Sequence, residues 1–168
     1  MTKIVHRPID PVRDRDYVLE CHCRTNYACD SPWATAIPYE EYRRNWFAMP
    51  EQINGFWQAL LESSSEPRGI AEILEDDAGE TVGYFWCTYW EDAESWISCL
   101  ELQDLYVEEA FHRQGVAACL LASAEEKARA AGVKLLRSGT GRENAASIAL
   151  HNKLGYEVYR YEYEKLLQ

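Results

Sequence analysis

The sequence predicts an α/β (α+β) fold, a central mixed and mostly antiparallel sheet flanked by helices, in a single domain over residues 1–168. Two features predict it. Between Gly69 and Val107, runs rich in Ile, Val, Tyr, Phe and Trp follow one another through short polar turns, as in an antiparallel meander. Beyond Val107 the chain alternates helix-length and strand-length segments, an order that lays helices over a sheet. With 47% hydrophobic and 27% charged residues in 168, the chain has the make-up of one packed core and not of a disordered polymer.

Each element has its own signal. Ile4 to Ile9 reads as a first strand closed by Asp10-Pro11. Val12 to Tyr27 reads as a helix with Val12, Tyr17, Val18 and Cys21 near one face. From Tyr39 to Leu61, aromatics at mixed spacing, broken by Pro50 and Gly55, give one or two helices. Gly69 to Glu75 and Thr81 to Trp90 form a hairpin across Asp76-Asp77-Ala78-Gly79-Glu80, and Trp96 to Val107 adds a third strand. Gly115 to Ala131 is a long helix with Val116, Leu120, Ala124 and Ala128 on one side, stopped by Gly132. Val133 to Arg137 is a short strand and Asn144 to Leu154 a helix ended by Gly155. Tyr156 to Leu166 closes the chain as one or two strands.

Composition narrows the function. A formal net charge of -11 argues against a binder of nucleic-acid backbones and suits a cationic small molecule, although acidity also simply aids solubility. No apolar run approaches the roughly 18 residues of a membrane helix, and the first residues lack the apolar core of a secretory signal, so no membrane is expected and a cytoplasmic location is. Cys21, Cys23 and Cys29 cluster around His22 but lack zinc-ligand spacing, and Cys21 and Cys23 would point about 200° apart on a helix. Reduced thiols and no metal are expected. Gly139-Thr140-Gly141 is too short for a dinucleotide fingerprint.

The most informative stretch is Leu102 to Leu121, where a strand, a short loop and a helix start follow in succession. A helix start leaves unpaired N–H groups and about half a positive charge, and Gly115, Ala117 and Ala118 let an anion approach the backbone, with Arg113 at hand. Close packing alone would also explain such small residues.

This segment resembles motif A of the GCN5-related N-acetyltransferase (GNAT) superfamily. Leu105-Tyr106-Val107 matches the strand end, and Gly115 and Ala117 match the small residues of its loop; His112 stands where the family usually has Arg or Gln. Asn144, Leu150, Lys153, Leu154, Gly155 and Tyr156 are similar to its motif B. The resemblance implies acetyl-CoA lying between splayed central strands, one ending at Val107 and one beginning near Val133. Leu105, Tyr106 and Val107 would hold the acyl arm. His112, Arg113, Gln114, Gly115, Val116, Ala117 and Ala118 would hold the diphosphate, and Asn144 would touch the cofactor.

The resemblance also implies direct attack of an amine in a ternary complex. The amine must lose a proton, the oxyanion must be met by a backbone N–H near Tyr106 or Val107, and the thiolate must be protonated. His151 stands where the family usually keeps an acid tyrosine, and an imidazolium is a competent acid. Asp104 and Glu101 are the candidate bases or ammonium contacts; strand alternation separates them onto opposite faces unless a bulge intervenes. Tyr27, Asp30 and Trp33, with Asp104, are the expected acceptor contacts, because aromatic faces among carboxylates suit an organic cation. The expected function is acetyl transfer to a small primary amine, with a possible homodimer. A protein N-terminal or lysine acetyltransferase and a non-catalytic acyl-CoA-binding module are the alternatives.

Overall fold

The computed structural model describes residues 3–29, 36–92, 94, 96–165 and 167. Strands β1 (Val5–Pro8), β2 (Ile70–Glu75), β3 (Thr81–Asp92), β4 (Ile97–Val107) and β5 (Leu135–Ser138) form one five-stranded sheet in sequence order. The first four pair antiparallel; β5 pairs parallel with β4. The meander turn is held by the Asp76 carboxylate, which accepts the amides of Ala78 and Glu80.

Helices α1 (Arg15–Cys29), α2 (Tyr39–Phe47) and α3 (Pro50–Ser65) precede β2; α4 (Val116–Ala130) and α5 (Ala145–Lys153) follow β4 and β5. Strand alternation sorts them onto two faces. On one face Tyr84 and Trp86 pack with Val18, Cys21, Leu60 and Ile73 under α1 and α3. On the other, Phe85, Cys87 and Leu100 pack with Leu121, Ala124 and Ala128 of α4. A third cluster joins Leu19, Cys23, Trp46 and Ile53 between the first three helices. Cys21 and Cys23 therefore sit in different clusters, both buried, as their helical spacing requires.

Two expectations need correction. Helix α1 starts at Arg15, and Val12 is 90% exposed. The Asp10 side chain accepts the amides of Val12 and Arg13 and holds a turn there instead. The second concerns the end of the chain: residues 156–165 form no strand. Val158, Tyr159, Tyr161 and Tyr163 alternate as in a strand yet are exposed. Alternation specifies a strand only where an edge accepts it, and this segment has no ladder partner among the described residues. Consequently β5 is the last strand of the described sheet, and the parting of β4 from β5 opens at its edge.

Candidate functional site

At the end of β4 a single turn of 3-10 helix, Glu109–Phe111, leads into the start of α4. His112 donates from Nε2 to the Val107 carbonyl at 2.7 Å, and the Gln114 amide donates to the Ala110 carbonyl at 2.8 Å, so the loop is folded back on the strand end. Arg113 and Gly115 both have left-handed backbones, with φ of +60° and +84°. Gly115 is the N-cap of α4 and has no side chain to accept the first helical amides. A Cβ placed there would meet no atom of the described residues within 4 Å, so the backbone twist, not crowding, is what demands glycine. Backbone donors, the helix dipole and the adjacent Arg113 suit a diphosphate. Val116 is buried beneath the turn, while Ala117 and Ala118 are half-buried beside it.

Next to this turn the sheet opens. The parallel ladder of β4 with β5 runs from Cys99↔Leu135 to Leu102↔Ser138 and stops. Strand β4 keeps its β3 partner through Val107, so among the described residues Leu105, Tyr106 and Val107 are paired on one edge only. A shallow cavity of about 210 Å³ lies here, lined by Arg24 and Tyr27 of α1, Tyr39 of α2, and Tyr106, Val107, Glu109 and His112. Burial, reinforced by the Glu108 carboxylate, pushes the Tyr106 hydroxyl up to about 12. Tyr17 and Tyr106 donate to the two oxygens of Glu108, at 2.9 and 3.4 Å.

The register of β4 against β3 shifts between Trp86 and Cys87, so Gln103 is an extra residue. The consequence is decisive for the carboxylates. Leu100 and Leu102 pack on the α4 face, which leaves Glu101 on the α1 side, the same side as Asp104 and Tyr106. The bulge thus brings together residues that simple alternation separates. Glu101 Oε2 accepts the indole N–H of Trp90 at 2.9 Å, and Gln103 donates to Thr88 at 2.9 Å.

Asp104 does not line the cavity. It is 2% exposed, accepts the Tyr84 hydroxyl, and lies 2.5 Å from His22 Nδ1. A carboxylate requires a donor, so His22 carries its proton on Nδ1; Nε2 then accepts the Asn26 amide at 3.0 Å. Phe56 stacks on the imidazole with centroids 3.8 Å apart. Burial and the Asp104 charge hold the Tyr84 hydroxyl far above its ordinary value. In the sequence His22 stands out only as a neighbour of cysteines. The sequence shows its helical spacing to Asn26 but not its partners Asp104 on β4 and Phe56 on α3.

Across the opening, His151 on α5 is fixed at both nitrogens. The Ser147 carbonyl, 2.7 Å from Nδ1, can only accept, so Nδ1 carries the proton and Nε2 faces the Ser138 hydroxyl at 2.8 Å. Tyr156 packs edge-on against the ring at 4.9 Å. Asn144 caps α5 by accepting the Ser147 amide at 3.1 Å, and its amide group points to Cys29 Sγ, 3.8 Å away. Gly141 is needed beside it: a Cβ there would sit 2.7 Å from the Cys29 carbonyl oxygen. Tyr27 donates to the Ile37 carbonyl at 2.8 Å and lies edge-on to Tyr39 and Tyr42. Asp30 and Trp33 lie outside the described residues.

Residues 29–156, which contain the open strand edge, the left-handed turn and α5, match the family model for the acetyltransferase (GNAT) family. The chain belongs to that family. Over 86 residues it is 34% identical to the L-methionine sulfoximine/L-methionine sulfone acetyltransferases of Pseudomonas paraeruginosa and Pseudomonas aeruginosa. That match covers 51% of this chain and 49% of each relative, so it spans about half the length of the curated relatives. Among solved structures, a Pyrococcus furiosus protein assigned as an acetyl transferase superposes with a TM-score of 0.68 at 20% identity, covering 98% of this chain and 100% of that one. An aminoglycoside antibiotic 6'-N-acetyltransferase from Acinetobacter baumannii superposes at 0.64 with 15% identity and 99% of each chain. At such identities the likeness is one of GNAT fold alone.

Proposed function

We propose that this chain transfers an acetyl group from acetyl-CoA to a primary amine of a small molecule, by direct attack in a ternary complex. The observation that carries the reading is the left-handed Gly115 turn at the head of α4, beside a β4 edge that loses its β5 partner after Leu102. Acetyl-CoA would bring the activated thioester. The amides after Gly115, with Arg113, would hold its diphosphate, and the open edge at Leu105, Tyr106 and Val107 would receive its acyl arm. The names of the Pseudomonas relatives specify small amines, which favours this acceptor class over a protein.

Three jobs fall to the chain's own residues. Glu101 accepts the ammonium proton, since its carboxylate is half-buried on the acceptor face and holds only the Trp90 donor among the described residues. Asp104, being enclosed, orients His22 and Tyr84 and acts on the site through them. His151 supplies the acid: with Nδ1 already tied to a carbonyl, a second proton must reside on Nε2, where Ser138 can pass it toward the strand opening. Release of free thiol from acetyl-CoA, followed across a library of amines, tests the reading. His151→Ala is expected to lower kcat about 100-fold or more while acetyl-CoA still binds. Binding of acetyl-CoA without thiol release on any amine would overturn the enzyme and favour a non-catalytic acyl-CoA module.

A further inference from the structure

Glu101 and Arg137 face one another in the β4–β5 register, one rung before the strands part at Leu102↔Ser138. Leu136 packs toward α4, so Arg137 projects to the opposite face, the side that Glu101 occupies. Opposite charges on adjacent strands ordinarily pair. Here each is held elsewhere. The Arg137 guanidinium lies 4.9 Å from the Trp90 ring centroid and 4.6 Å from that of Tyr159. Glu101 turns Oε2 to the Trp90 indole N–H. Among the described residues no carboxylate forms an ion pair with Arg137 and no cation with Glu101, although both are half-buried.

We propose that Arg137 and Glu101 bracket the two charged groups of a free α-amino acid, making such zwitterions the acceptor class. The guanidinium, held against the Trp90 and Tyr159 rings, presents its fork to the carboxylate. The Glu101 carboxylate takes the α-ammonium, which lies one carbon away from that carboxylate in any α-amino acid. Strands about 4.8 Å apart space the two side chains for a ligand of that reach. The same placement puts the amine one rung from the point where β4 becomes free of β5. Trp90 serves both halves, as donor to Glu101 and as platform for Arg137, and so fixes their separation. A bare polyamine would leave Arg137 facing a cation.

This inference rests on the acetyltransferase reading for its consequence, but its test is a binding one. Wild-type protein saturated with CoA is titrated calorimetrically with the L-amino acids, their methyl esters and the corresponding decarboxylated amines. At least one free amino acid is expected to bind about tenfold or more tightly than its ester. Arg137→Met should bring the acid down to the level of the ester, Arg137→Lys should recover part of the difference, and Glu101→Gln should weaken acid and ester alike. Equal binding of acid and ester, no binding of any amino acid, or indifference to Arg137→Met would overturn the proposal. Thiol release is measured in parallel: turnover of amines with no carboxylate preference sinks this inference and leaves the acetyltransferase. Arg137-dependent binding without turnover sinks the acetyltransferase and leaves the zwitterion site.

Discussion

The two faces of the sheet are built from the same strands and do different work. Under α4 every buried side chain of the cluster is apolar, from Ile70 and Phe85 to Ala128 and Val133. Under α1 and α3 the equally buried Tyr84 and Asp104 carry polar atoms, joined to His22 at the edge of the cluster. An apolar face can exchange one aliphatic group for another at modest cost. A face with a buried carboxylate is committed to its donors, because each unpaired polar atom carries a full desolvation penalty. The difference teaches where to look for chemistry: α4 supplies stability and a helix start, while the α1 side supplies charge.

The largest expected effect comes from Asp104→Ala, which strands the Tyr84 hydroxyl and the His22 Nδ1–H together; about 4 kcal/mol of stability should be lost in urea unfolding. Asp104→Asn, which keeps one acceptor, should lose less. If Asp104→Ala costs no more than Leu120→Ala on the other face, the contrast between the faces fails. Leu120, on the buried face of α4, is 1% exposed, and its truncation should cost about 3 kcal/mol without altering the pH dependence of unfolding.

A third comparison uses Asp14, which sits at the head of α1 and accepts both Arg7 Nη1 at 2.6 Å and Nη2 at 2.9 Å. Burial alone would push this carboxyl up, but the Arg7 hydrogen bonds and charge outweigh it and hold it below the usual carboxylate range. Its folded value is therefore lower than its unfolded value. The stabilisation is complete above the unfolded value of about 4 and is lost as pH falls through the folded one. Asp14→Asn should cost about 2 kcal/mol at neutral pH, and the gap from wild type should close on acidification. A gap independent of pH would place the loss in packing. The smallest stability effect belongs to Glu101→Gln, expected within about 0.5 kcal/mol of wild type, while thiol release falls sharply. A large loss of stability there would make Glu101 a structural residue.

Much of the site was legible because local rules govern it. The helix start at Gly115 and the stop at Gly132 depend on backbone angles that glycine alone adopts freely, with φ of +84° and +72° here. The amphipathic stripe of α4 through Val116, Leu120, Ala124 and Ala128 is likewise a matter of spacing, and all four are buried. The carboxylates were less legible. Alternation assigns Glu101 and Asp104 to opposite faces, and only the extra residue at Gln103 unites them. His22, Arg137 and Ser138 gave no signal of their own, since each acquires meaning from a partner on another element. The alternating tyrosines after Tyr156 form no strand for the same reason, as no edge of the described sheet receives them.

By itself the sequence determined the order of elements, the meander, the turn that opens α4 and the kinship that goes with it, because periodicity, glycine and capping act over a few residues. Tertiary structure alone decided that Asp104 is enclosed by His22 and Tyr84, that a bulge turns Glu101 to the α1 side of the sheet, and that Arg137 lies against the rings of Trp90 and Tyr159. Those outcomes depend on strand register and on contacts between segments far apart in the chain, where a shift of a single residue reverses the direction of every side chain.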